Sequence, residues 1–423
     1  MFIVAERYWG NRVDASTQQI VSMSQRMIEK CCLQTYAASH FGRGRVSAHS
    51  KSLGFAPWCP SSQYSSWVKI SAKTFSKLIT TSVMRKHDVS VLIEDEDEEE
   101  PPLEQLSLAQ HVITVEKFLP EAQILRDVFD KRFDNPRDIS PERFMWDYWH
   151  VPDQYTLIRT QAQVYFSSAL YDRLEDALIS YGESVLGCRG ITPIWMSYYV
   201  DGCVQELHCD NPHGPFAFVL SLTDWDARKF RGGETMILHP GVLDYWGSLY
   251  SSQQGLEQQQ LVQLVEPKFN RLTVFDPRFP HGVKAVSGTR DPREARLVLH
   301  GWFTEPTPFF RGGLSADEAA SALDDAMGDI MEILQDLPPA TGILTIRLEV
   351  NGTTGEITKL EWLADTLIAT PGPHGVPSDQ VRAGMQQVIS ETLLGSADSP
   401  SNIRFPPSKD GTNTEITLPI VFE

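Results

Sequence analysis

The chain reads as mainly β: a jelly-roll barrel with supporting helices over residues 105–306, then a small α+β domain over 342–423. Three observations predict this. Between Val112 and Phe303 the apolar residues fall in short runs divided by Gly, Pro and Asp turns, the pattern of an antiparallel barrel. Helical periodicity is confined to two stretches of that span. Beyond Pro306 a helix, a hairpin, a second helix and a strand follow in order.

The first 104 residues lack that pattern. Residues 1–90 carry 12 Lys and Arg against 4 Asp and Glu, a net of +8, and Glu29 is the only acid between Ala15 and His87. Basic, hydroxyl-rich and acid-poor is the composition of a mitochondrial or plastid transit peptide; a disordered leader is the other reading. The expected location is a plastid or mitochondrion in the first case and the cytoplasm in the second. Glu94 to Glu100 (EDEDEEE), followed by Pro101-Pro102, reads as a self-repelling linker.

From Gln105 the elements follow in order. Val112 to Phe118 alternates as a strand. Glu121 to Phe133 carries Ala122, Leu125, Val128 and Phe129 at helical spacing, and Phe166 to Leu186 carries Leu170, Leu174, Ala177, Leu178 and Tyr181 on one stripe, stopped by Gly187. Asp147 to Trp149 and Pro152-Asp153 read as an aromatic-rich turn. Phe216 to Thr223, Thr235 to Leu238, Arg271 to Phe275 and Arg296 to Phe303 are strands. The Gln- and Ser-rich segment 239–267 reads as an insertion at the barrel rim, a candidate lid. Residues 307–341 form a connecting helix that starts at a Ser315–Glu318 capping box. Gly342 to Asn351 and Glu356 to Leu363 form a hairpin, Ser378 to Leu394 a helix, and Glu415 to Phe422 the last strand.

The chemistry centres on Leu207-His208-Cys209-Asp210. Residues two apart on a strand share a face, so His208 and Asp210 can aim an imidazole and a carboxylate at one point. Cys209 then points the other way, as packing. A second histidine, His281, follows the RLTVF strand and its Asp276-Pro277 stop; His239 and His300 are its rivals. Two histidines and one carboxylate form the facial triad of non-haem iron. A zinc or manganese jelly-roll of the cupin type would call for further histidines near His208, and His213 is the one at hand.

The order strand, His-x-Asp, strands, His, then strand with Arg resembles the iron(II)/2-oxoglutarate dioxygenases, in particular their prolyl 4-hydroxylase-like branch, over Tyr198 to Phe303. The resemblance implies a double-stranded β-helix and an oxidoreductase that takes Fe(2+), 2-oxoglutarate and O2, with L-ascorbate as an accessory reductant. It implies metal ligation and catalysis by His208, Asp210 and His281. It also implies a cation for the distal carboxylate of 2-oxoglutarate. Lys284, Arg290, Arg293 and Arg296 are the candidates. Arg290 lies in a turn, whereas Arg296 opens the RLVLHGWF strand and its Arg-to-Gly-Trp-Phe pattern resembles prolyl hydroxylases that act on proteins, so Arg296 is preferred. Tyr198 or Tyr199 fits a tyrosine that reaches the cosubstrate site, and Tyr199 is carried forward. The expected reaction is hydroxylation of a prolyl residue in a protein or peptide, with release of succinate and CO2. The alternative is a catalytically silent barrel acting as a scaffold, against which the complete triad speaks. The C-terminal part resembles the C-terminal domain of TonB-type and gliding-motility proteins, which implies a protein partner and no chemistry there.

Composition bounds the rest. A chain of 423 residues exceeds a single core. The formal net charge of −18 argues against a nucleic-acid partner. No apolar run of membrane-spanning length is present. The six cysteines, Cys31, Cys32, Cys59, Cys188, Cys203 and Cys209, form no CxxC pair and fit a reducing compartment.

Overall fold

The computed structural model describes residues 111–135, 137, 145–210, 213–242, 261–373, 376–396, 399–401 and 403–422. The expected transit peptide and acidic linker lie outside the described residues, as does most of the expected rim insertion.

Among the described residues the first sheet has twelve antiparallel strands: β1 (Val112–Val115), β2 (Asp147–Val151), β3 (Tyr155–Gln161), β4 (Cys188–Ile191), β5 (Trp195–Tyr199), β6 (Val204–His208), β7 (Phe216–Ser221), β8 (Thr235–Leu238), β9 (Val262–Val265), β10 (Leu272–Phe275), β11 (His281–Val283) and β12 (Arg296–Pro306). Their order is β1-β10-β7-β12-β5-β3-β6-β11-β8-β9, with β2 on β3 and β4 on β12. The pairing is nested. β5 pairs β12, β6 pairs β11, β7 pairs β10, and β8 pairs β9. A long hairpin has thus been wound so that successive pairs fall alternately on the two walls. That is the double-stranded β-helix, and it sets His208 and His281 opposite one another on one wall and Arg296 on the other.

The residues explain the winding. β7, β10 and β12 are apolar on both faces because one face lines the barrel while the other is covered by helices, so alternation is lost. The covering helices are α1 (Ala122–Phe133), α2 (Ala162–Tyr165) and α3 (Ser168–Tyr181). Leu125, Phe129, Leu174 and Leu178 are wholly buried against Phe216, Phe218, Leu220, Leu299 and Phe303, each worth about 1.5–3 kcal/mol relative to exposure. A π-helical turn, Gly182–Leu186, prolongs α3, and Gly187 ends it at φ 68. A Cβ there would lie 2.8 Å from Pro419, so the left-handed stop is also a point of close packing.

Two expectations are corrected. The aromatic turn at 147–153 is instead a hairpin, β2 and β3, because Trp149 and Tyr155, Leu157 and Arg159 alternate toward the barrel across the Pro152-Asp153 corner. The segment 239–267 is not wholly an insertion: its last residues, Val262–Val265, are β9, a wall strand paired to β8.

The second sheet has the order β13-β19-β14-β15, with β16 on β14. These are β13 (Phe309–Gly312), β14 (Ala340–Val350), β15 (Ile357–Asp365), β16 (Ile368–Ala369) and β19 (Thr414–Phe422); β17 (Gly395–Ser396) and β18 (Ser399–Pro400) form a separate short ladder. One face is covered by α4 (Ala316–Leu334) and α5 (Ser378–Leu394), whose Ile330, Leu334, Met385 and Ile389 meet Leu344, Ile346, Leu348 and Leu418. The capping box opens α4 as expected, with Ser315 and Glu318 bonded reciprocally. Residues expected as a connector thus supply β13 and α4 to this sheet. Its first residues meet the barrel's outer core: Ile343 and Ala364 join that cluster, Thr345 donates to the Leu186 carbonyl at 3.0 Å, and Arg347 donates to the Ser184 carbonyl at 3.1 Å.

Candidate metal centre and cosubstrate pocket

β6 ends at His208, and β11 begins at His281; the two are register partners. The chain reaches His281 through a tight corner. Asp276 stops β10 and accepts from the amide and guanidinium of Arg278, the Phe279 amide closes onto the Asp276 carbonyl, and the Pro277 carbonyl accepts from the Asp210 amide at 2.8 Å. One corner therefore positions two of the three residues. Gly282 lets β11 lie close on β6, since a Cβ there would sit 2.5 Å from the Gln205 carbonyl.

Asp210 lies 3.6 Å from His208 Nε2 through one oxygen and 3.4 Å from His281 Nε2 through the other. The three potential ligand atoms all lie within 4.8 Å of one another, and this is the only such group among the described residues. Each imidazole is turned by its other nitrogen. His208 Nδ1 lies 2.8 Å from the Glu206 carbonyl, and His281 Nδ1 lies 2.9 Å from the Phe279 carbonyl. A carbonyl accepts only, so Nδ1 carries the proton and Nε2 offers a lone pair inward. Burial, with a smaller push from His281, holds His208 below its ordinary pKa despite the Glu206 hydrogen bond. Burial drives Asp210 the other way, but the neighbouring imidazoles, His281 first and then His208 and His213, outweigh it and keep the carboxyl below its usual range. Neutral imidazoles and an ionised carboxylate are the states in which these groups bind a metal. The donor set is N, N, O, fitting iron(II) with positions left over.

The same cavity, about 250 Å³, is walled by Tyr199, Thr235, Arg296, Trp302 and the three residues above. Arg296 is 1% exposed. Its Nε donates to the Gly233 carbonyl at 2.7 Å and one terminal nitrogen to Thr235 Oγ1 at 3.2 Å, while the other, Nη1, is buried without a partner. An orphaned donor on a buried cation calls for an anion. Burial pulls the Arg296 pKa down, opposed by Tyr199 and Glu234. The guanidinium lies over the Tyr199 ring, 4.6 Å from its centroid, and the Tyr199 hydroxyl donates to Gln205 Oε1 at 2.9 Å. Tyr199 therefore faces the pocket, whereas Tyr198 packs outward among Phe129, Phe133 and Trp146.

The rivals fall elsewhere. Arg290 is 88% exposed, 3.6 Å from Asp201. Arg293 pairs with Asp291, and Lys284 faces Glu234 at 3.9 Å. His300 lines the pocket, but its Nε2 is 2.8 Å from Ser197 Oγ, and burial, aided by Arg296 and Arg159, lowers its pKa to about 4; it is a neutral, satisfied wall residue. His239 bonds the Gly241 amide through Nδ1. His213 packs edge-on against Trp302, ring centroids 4.5 Å apart, and is not among the three convergent residues. Cys209 is exposed and not packed, because the strand ends at His208 and alternation stops with it. Sequence reasoning missed Gln205 and Arg159, both lining the cavity; the signal for Arg159 was the alternation Tyr155, Leu157, Arg159.

Residues 194–304 match the family model of the 2OG-Fe(II) oxygenase superfamily. This stretch is a 2OG-Fe(II) oxygenase domain. The domain is that of a 2-oxoglutarate-dependent dioxygenase, and the cofactors of its family are Fe(2+), 2-oxoglutarate and O2. No curated protein sequence matches the chain. Among solved structures it is similar to a prolyl-4-hydroxylase of Pseudomonas putida (17% identity, 48% of this chain and 100% of that one, TM-score 0.33). It is also similar to a Trichoplax adhaerens prolyl hydroxylase in complex with a hypoxia inducible factor peptide (14%, 56% and 94%, TM-score 0.32) and to the viral collagen prolyl hydroxylase of Paramecium bursaria Chlorella virus-1 (14%, 47% and 97%, TM-score 0.30).

Proposed function

We propose that His208, Asp210 and His281 hold the iron(II), that Arg296 with Tyr199 holds 2-oxoglutarate, and that the substrate is a prolyl residue of a protein or peptide. The observation that supports this best is the pairing, within one cavity, of two bare Nε2 atoms and a carboxylate with the unpartnered Nη1 of Arg296. Iron(II) with 2-oxoglutarate supplies the stepwise activation of O2 that no side chain can perform.

The chain's own residues do the rest. His208 and His281 are each held through Nδ1 by a backbone carbonyl, so neither ring has to rotate when the metal binds. Arg296, already oriented by Gly233 and Thr235, keeps a donor for the distal carboxylate of the cosubstrate, and the low dielectric around it strengthens that pair. The Tyr199 ring backs the guanidinium, while its hydroxyl is held by Gln205. Ala217, Val219, Phe275 and Trp302 supply an apolar wall beside the metal residues, suited to an aliphatic ring and to excluding water. The second sheet is read as a binding or positioning module, since the convergent ligand group among the described residues lies in the barrel.

The test is anaerobic titration with iron(II) and 2-oxoglutarate, followed by oxygen, with succinate and a 16 Da gain on proline-containing peptides as readouts. Succinate without any peptide product would refute the prolyl reading and leave the dioxygenase intact.

A further inference from the structure

The pocket holds a second cation that the reaction above does not use. Arg159 on β3 lines the cavity. Its guanidinium carbon is 3.2 Å from the centroid of the Trp149 ring on β2 and 4.2 Å from that of Trp195 on β5, the strands that flank β3. Two indoles thus hold the guanidinium plane from neighbouring strands, through the attraction of a cation for aromatic faces. Its Nε is buried without a partner, and no carboxylate forms an ion pair with it among the described residues. Asp147, its register partner on β2, acts on it through its charge but is exposed and does not line the cavity.

Arg159 and Arg296 serve different positions. Arg159 is in register with Ser197 and through it with Val298, whereas Arg296 is in register with Tyr199. The two cations therefore stand two residues apart along the strands, roughly 7 Å, and two strands apart across the sheet, with β5 between them, roughly 10 Å more at the usual strand spacing. One carboxylate cannot satisfy both, and the one acid among the cavity residues, Asp210, is committed to the histidines. With the cosubstrate's distal carboxylate on Arg296, Arg159 has no carboxylate left to it within the cavity. An arginine whose plane is already fixed loses little side-chain freedom when it binds, and its edge matches a carboxylate through two parallel hydrogen bonds.

We propose that Arg159, clamped by Trp149 and Trp195, receives a carboxylate of the substrate, so that the substrate is an acidic peptide with Asp or Glu beside the residue that is oxidised. The peptide nature of the substrate rests on the reading given above; the anion does not.

The test measures binding and turnover separately, on the full chain with iron(II) and 2-oxoglutarate. Short capped peptides with a central Pro carry Glu, Gln or Lys at each neighbouring position in turn. Binding is measured by calorimetry without oxygen. The best Glu peptide should bind on the order of 10- to 100-fold more tightly than its Gln counterpart, the strength of one charge-assisted pair. Arg159→Gln should bring that ratio to about one, Arg159→Lys should keep part of it, and Arg290→Gln should keep all of it. No Glu preference in the unaltered chain, or one that survives in Arg159→Gln, overturns the proposal. Admitting oxygen separates the two readings: a Glu preference that depends on Arg159 without hydroxylation of Pro refutes the prolyl reading and leaves the acidic anchor standing.

Discussion

Replacing Arg296 with Ala removes a fully buried cation that lines the same cavity as His208, Asp210 and His281 and keeps an unpartnered donor. The side chain is 1% exposed, two of its nitrogens are spent on Gly233 and Thr235, and Nη1 is left for a ligand. Truncating one partner of a buried, hydrogen-bonded charge pair costs roughly 2–5 kcal/mol, which is roughly 30- to several-thousand-fold in affinity. The assay is anaerobic titration of the iron(II) protein with 2-oxoglutarate, followed through the charge-transfer absorbance of the bound cosubstrate. Iron(II) affinity, measured in parallel, should change little, because Arg296 lies on the opposite wall from His208, Asp210 and His281. Arg290→Ala is the control: at 88% exposure and 3.6 Å from Asp201, it should leave the titration within about 2-fold, as expected of an exposed ion pair. The reasoning is refuted if Arg290→Ala weakens cosubstrate binding and Arg296→Ala does not.

Three further outcomes follow from the same structure. Gly282→Ala places a Cβ against the Gln205 carbonyl at 2.5 Å, so β11 must move off β6; iron(II) affinity should drop by more than 10-fold, while the wall that carries Arg296 stays in place. His300 and His111 have pKa values lowered to about 4 and about 3, both mainly by burial; the unfolded chain binds their protons first, so their stabilising effect is full above pH 6.5 and fades as pH falls toward those values. By pH 5 each should have lost on the order of 2 kcal/mol, visible as a lower urea midpoint than at pH 7 and diminished in His300→Gln. Ending the chain at Pro306 exposes the outer core that Ile343 and Ala364 cover and removes the Arg278 contact to the Phe422 carbonyl; thermal unfolding should begin several degrees lower, and an unchanged midpoint would show the second sheet to be energetically separate.

The barrel was legible where burial was extreme. β7, β10 and β12 are apolar runs that only a strand covered on both faces would carry, and the Asp276-Pro277 stop marks the end of β10, as the Gly187 cap marks the end of the helix before β4, in residue type alone. β9 was not legible, because Val-Gln-Leu-Val is four residues long and follows a Gln-rich stretch that sets no period. The β2–β3 hairpin was missed because its inward residues include Arg159 and its outward ones include Tyr148, inverting the usual polarity of a wall strand. The same inversion hid the second cation. His208 and Asp210 do converge, but not through the strand alternation expected of them: β6 ends at His208, and the Asp210 amide is held by the Pro277 carbonyl across the corner. No spacing rule encodes that tertiary hydrogen bond, nor does one encode why Cys209 faces solvent. Arg296 could be preferred from its strand-opening position, whereas its orphaned Nη1 exists only once Gly233 and Thr235 have taken its other nitrogens.

The central claim is that this barrel couples iron(II) and 2-oxoglutarate to oxygen through His208, Asp210 and His281. The most direct measurement is succinate formed on admitting oxygen to the full chain after anaerobic loading, compared with His281→Ala. One equivalent of iron(II), a 2-oxoglutarate charge-transfer band and succinate release are expected from the unaltered chain, with all three lost in His281→Ala. A chain that binds no iron(II), or whose succinate yield is the same with and without His281, would contradict the account.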